Sequence, residues 1–207
     1  MARTATWSHY MTLVVRPFGD PADVQRIIDM LLAVRPPDRI SHWPGVVEMR
    51  EVLARPTVAA NTRLWCDAAG ECVAWAFVDE FDNIHFERRP EVMVGDCLAE
   101  MFEWAVSIVA ARRPESAHLT LDASAHESDA DRRAVLLYHG FVEQPQRTLS
   151  YVRPLDDALP SPVLPAGFAI RPLREVEVEA VAALHRAAFG TSYMTVENRR
   201  AMMSEPE

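Results

Sequence analysis

His85 and Glu87 carry side chains suited to accepting a proton, and their spacing of two puts them on one face of a strand. Glu80 lies close by in sequence. Directly after this pair, Arg88 and Arg89 could hold an anion such as a pyrophosphate through charge-assisted hydrogen bonds. Each residue also has an ordinary explanation: acids and arginines line solvated strand edges, and an imidazole can be a satisfied, partly buried ring. All 21 cationic residues are arginine, which removes lysine Schiff-base and P-loop chemistry. Cys66, Cys72 and Cys97 are odd in number and lack CxxC or Cys/His finger spacing, so neither a disulfide framework nor structural zinc is signalled. In the run His126, Glu127, Ser128, Asp129 the potential ligands sit on adjacent residues that converge poorly on one ion; a helix-capping loop explains it, and no metal is expected.

The elements that must position these groups follow from periodicity. Residues 12–18 read as a strand, and Asp20 with Pro21 offers an N-cap and a first-turn proline for a helix. Val24, Ile27, Ile28, Leu31 and Leu32 give that helix one apolar face, and the Arg35-Pro36-Pro37 step stops it. A weaker helix is expected over residues 46–53. Short strands follow at 63–67, 72–80 and 84–88, joined by turn residues as an antiparallel meander whose middle strand is the most apolar. The clearest helix spans 95–111. A strand at 117–122, a polar loop, a helix at 129–139 ended by Gly140, and a strand at 148–152 complete the order β, α, α, βββ, α, β, α, β.

Pro160, Pro162 and Pro165 make residues 156–166 a stiff extended linker between a first domain, residues 1–155, and a partial second one, residues 167–207. After the linker the opening repeats: Leu13-Val14-Val15-Arg16-Pro17-Phe18 is echoed by Phe168-Ala169-Ile170-Arg171-Pro172-Leu173, each before an amphipathic helix.

Composition narrows the function classes. A chain of 207 residues with 49% hydrophobic and 25% charged residues can bury a sizeable core. Its formal charge of −9 argues against nucleic acid and anionic membrane as partners. Five tryptophans before the linker, among them Trp65, Trp75 and Trp104, therefore read as core rather than base-stacking residues. No secretory signal or membrane-length apolar stretch is present, and reduced thiols suit a cytoplasmic protein.

The element order, and the run Arg133-Ala134-Val135-Leu136-Leu137-Tyr138-His139-Gly140-Phe141, resemble the GNAT superfamily of CoA-dependent N-acyltransferases; the internal echo resembles its tandem members. The resemblance covers roughly residues 12–152, plus a partial echo. It implies an α/β fold with a mixed, mostly antiparallel sheet flanked by helices, followed by the first strand and helix of a second repeat. It implies acetyl-CoA as co-substrate, an amine of a small molecule or peptide as acceptor, and direct attack. Tyr138 would protonate the departing thiolate, a phenol being an acid near enough in strength to a thiol. A base would stand on the fourth strand, at His85 or Glu87.

The family's pyrophosphate motif aligns with residues 90–95, so Arg88, Arg89, Val94, Gly95, Asp96 and Cys97 would face the cofactor. Of its glycines only Gly95 remains, Met93 replaces another, and Asp96 puts a carboxylate where phosphate should sit, which predicts a looser or absent cradle. His42 and Trp43 would lie where such proteins contact the acceptor. Two alternatives stand beside the enzyme: a catalytically degenerate unit with a structural or metabolite-binding role, and an assembly module forming a homodimer through its incomplete second repeat.

Overall fold

The computed structural model describes residues 13–39, 44–90, 92, 96–116, 118–149, 151, 154, 161–190, 192 and 194–204. The expected meander forms closely where it was read. β1 (Val14–Pro17), β2 (Thr62–Cys66), β3 (Cys72–Val78) and β4 (Ile84–Arg88) lie in the order β1-β2-β3-β4, every neighbouring pair antiparallel. β3 is buried at every position because helices cover both faces of the sheet, which is why it is the most continuously apolar strand.

One face carries α1 (Asp23–Val34), α2 (Val46–Leu53) and α3 (Pro56–Ala60). Ile27, Ile28 and Leu31 of α1 pack there against Leu64, Cys66, Cys72, Trp75 and Phe77. The other face carries α4 (Asp96–Arg112) and α5 (Ala130–Tyr138), whose Leu98, Met101, Phe102, Val135 and Leu136 cover Trp65, Ala74, Ala76, Val78, Ile84 and Phe86. Strand alternation thus sorts side chains into two apolar layers.

α1 begins later than Asp20 and Pro21 suggest. The Asp20 carboxylate accepts from the Ala22 amide at 2.8 Å in a turn before the helix, and Asp23, inside its first turn, accepts from the amides of Gly19 and Asp20 at 3.1 and 3.0 Å. Arg35 is extended (φ −80°, ψ 131°), as the following proline requires. The short α3 was not anticipated; Pro56 stands at its start, where a fixed φ favours helix.

Three expected strands are absent from the described residues. At residues 118–122 only one parallel bridge forms, Asn83 to Asp122, with Ile84 N donating to Asp122 O at 2.8 Å. Residues 148, 149 and 151 carry no strand, and the rest of that expected segment lies outside the described residues. Residues 168–173 are extended but unpaired, since no second strand lies beside them to close a ladder. Beyond them come a 3-10 turn at Glu175–Glu177, α6 (Val178–Phe189), ended by Gly190 at φ 62°, and α7 (Val196–Ser204), which touches α2.

The two openings nevertheless share one device. Arg16 grips Asp23 at 2.8 and 2.6 Å and reaches the Pro17 carbonyl; Arg171 grips Glu177 at 2.8 and 2.5 Å and reaches the Pro172 carbonyl. In both, an arginine before a proline is bound bidentately by an acid at the start of the following helical segment.

Candidate functional site

β4 sorts its side chains as expected: Ile84 and Phe86 face α4 and α5, while His85 and Glu87 face the layer of α1. His85 Nε2 lies 3.2 Å from Asp79 Oδ2, and its ring is centred 4.7 Å from that of Phe77. Asp79 also accepts from the amides of Phe81 and Asn83, both at 2.9 Å. Burial pushes its carboxyl pKa up, but the hydrogen bonds from His85 and Asn83 outweigh that and hold it below the ordinary range. An ionised carboxylate only accepts, so His85 carries its proton on Nε2 here.

Glu87 is flanked by two guanidinium groups. Arg35 Nε donates to it at 2.8 Å while Arg35 Nη1 donates to the Pro44 carbonyl at 2.8 Å, and Arg132 Nη1 stands 3.8 Å from its other oxygen. All three side chains are largely buried. Held this way, the carboxylate braces β4 against the end of α1.

Arg88 and Arg89 diverge. Arg88 sits on the α5 side, its Nη1 directed at the carbonyls of Arg89, Pro90 and Val92 at 3.5, 3.4 and 3.4 Å, its Nη2 bound to Asp131 at 2.6 Å. Carbonyls of residues 89, 90 and 92 thus occupy the Arg88 guanidinium together with Asp131, leaving it little to offer an anion. Arg89 lies on the α1 side, lining a cavity of about 100 Å³ with Arg26, Asp29, Met30, Glu71 and Cys72. Val94, Gly95 and the side chain of Asp96 lie outside the described residues, as do His42 and Trp43. Cys97 is packed in the α4 layer; burial, chiefly, pushes its thiol up to about 11.

Tyr138 ends α5 with 79% of its surface exposed, its ring edge-on to His139 at 5.1 Å. No described contact joins it to His85 or Glu87. The helix itself forms as the motif implies, with Gly140 at φ 87° letting Phe141 turn back onto Phe102.

Arg132 occupies the flank of β4 where the expected fifth strand would pair. Its Nη1 donates to the Phe86 carbonyl and its Nε to the Ser124 carbonyl, both at 2.8 Å, and its guanidinium lies 4.0 Å from the centre of the Phe86 ring. Asp129 accepts from the Arg132 amide at 3.0 Å and from Arg39 at 2.6 Å. Ion pairs thus run from Arg39 through Asp129 to α5, and from Arg132 through Glu87 to Arg35 at the end of α1. Arg35, Asp79 and Arg132 escaped sequence reasoning because only the folded chain brings them to residues of β4, as it brings Arg39 to Asp129.

No protein-family model matches the chain, and no curated protein matches it. Among solved structures, an acetyltransferase of the GNAT family from Listeria monocytogenes is similar, with 13% identity, 65% of this chain and 89% of that one covered, and a TM-score of 0.44.

Among the described residues no helix is long and apolar enough to cross a membrane. Among them, too, no group of three His, Cys, Asp or Glu side chains converges as metal ligands would.

Proposed function

We propose that this chain serves CoA-dependent N-acyl transfer, from acetyl-CoA to an amine of a small molecule or peptide, as the supporting unit of a tandem GNAT-like protein rather than as the unit that performs the chemistry. Residues 1–155 are then the supporting unit, 156–166 the linker and 167–207 the opening of a second copy, in a cytoplasmic protein. The matched grips of Arg16 on Asp23 and Arg171 on Glu177 favour the tandem reading.

One observation carries the supporting role. Arg88, which the resemblance offers to a diphosphate, is taken up instead by three carbonyls and by the Asp131 carboxylate. The locked Glu87 and the solvent-facing Tyr138 agree with it. Titrating the chain with acetyl-CoA in a calorimeter tests the reading: no binding heat at millimolar ligand is expected. Micromolar binding, with amine acetylation that Tyr138→Phe abolishes, would instead make this unit the catalyst.

A further inference from the structure

The structure places two buried thiols against each other in a way the fold does not need. Cys66 on β2 and Cys72 on β3 are direct register partners, and both are free. They would point to opposite faces if the pairing ran evenly from Trp65 opposite Ala74; instead the register shifts between Trp65 and Cys66, so the bulge turns both cysteines into the α1 layer. Directly opposed residues of an antiparallel pair have Cα atoms about 4.5 to 5.5 Å apart, inside the range a disulfide spans. Each is only 4% exposed.

Access comes from one side. The cavity of about 100 Å³ among α1, the β2–β3 turn and the end of β4 has Cys72 in its lining, with Arg26, Asp29, Glu71 and Arg89 as its charged members. A cavity of that size admits a molecule as small as hydrogen peroxide. Cys97 lies in the opposite layer.

We propose that Cys66 and Cys72 are an oxidation-sensitive pair, with Cys72 the first sulfur to react and Cys66 the one that resolves it. The Cys72 thiolate attacks one peroxide oxygen; the S–O bond forms, the O–O bond breaks, and the departing hydroxide takes up the thiol proton as water. The Cys66 sulfur then displaces the sulfenic oxygen; the S–S bond forms, the S–O bond breaks, and a second water leaves with the remaining thiol proton. Two thiols are oxidised by two electrons while one peroxide is reduced to two waters.

Burial pushes the Cys72 thiol up to about 12, so little thiolate exists near neutrality and the reaction is slow, quickening as pH rises. Arg16 and Arg89 pull in the other direction without overcoming burial.

The test exposes the folded chain to hydrogen peroxide, quenches it in denaturant with an alkylating agent, and measures intact and peptide masses. The expected product has lost two hydrogens, with the segments bearing Cys66 and Cys72 joined and Cys97 alkylated. In Cys66→Ser the expected product is Cys72 trapped as the sulfenic acid by dimedone. Alkylation of all three cysteines, over-oxidation of Cys72 without a bridge, or a bridge to Cys97 or to another molecule would overturn the proposal.

Discussion

Arg35 Nε donates to Glu87 Oε1 at 2.8 Å, tying the end of α1 to strand β4 one residue before Arg88. The same carboxylate is a candidate proton acceptor and a tie that holds a helix in place. The two roles separate in the laboratory. Glu87→Gln is expected to lower stability by about 2 kcal/mol, the worth of a hydrogen bond to a charged partner, read from urea denaturation. An unchanged midpoint would return Glu87 to the candidates for chemistry.

Asp23 makes stability depend on acid. Burial pulls its carboxyl upward, yet bonds from Arg16, Gly19, Arg26 and Asp20 together hold it well below the usual carboxylate range. Its folded value thus lies beneath the unfolded one, and its contribution is complete above the unfolded value of about 3.9 and lost as pH falls toward the folded one. Urea midpoints measured downward from about pH 5 should drop, and Asp23→Asn should flatten that slope.

Gly140 stands at φ 87°, and a Cβ there would meet nothing within 4 Å. Gly140→Ala therefore bears only the left-handed backbone penalty, about 1 to 2 kcal/mol, with Gly140→Asn milder. Equal losses for both, measured by denaturation, would mean that packing rather than dihedral strain fixes the glycine.

Arg132 anchors α5 through the Phe86 and Ser124 carbonyls. Arg132→Leu should cost about 2 to 4 kcal/mol by leaving those acceptors and Glu87 poorly paired. Arg132→Lys should recover little, because an ammonium lacks the planar fork that serves both carbonyls at once. Full recovery by lysine, seen in thermal melts, would mean that charge alone suffices.

Much of the framework was legible along the chain. The expected spans of β4 and α2 match the structure to the residue, and that of α5 to within one residue at each end, because their apolar spacing and turn residues are local signals. The strand expected at 117–122 forms only one bridge among the described residues, for a reason local sequence does not contain: the flank of β4 beyond that bridge is held by Arg132, a residue 46 positions from the carbonyl it reaches. The strand at 168–173 alternates properly but has no neighbour, and a ladder is a property of two segments. For the candidate site, the pairing of His85 and Glu87 on one face followed from alternation, whereas their partners Asp79 and Arg35 did not. Arg88 illustrates the limit most directly, since its residue type suggested an anion and its position gives it carbonyls.

The guanidinium on the Phe86 carbonyl, with the single bridge at Asp122, leaves the outer flank of β4 little to offer a foreign strand. Such flanks, when bare, template the growth of stacked sheets between molecules. A charged, planar plug in that place should keep this chain dispersed at concentrations where a version with leucine there would begin to form fibres, so that one side chain guards the molecule's colloidal behaviour as well as its shape.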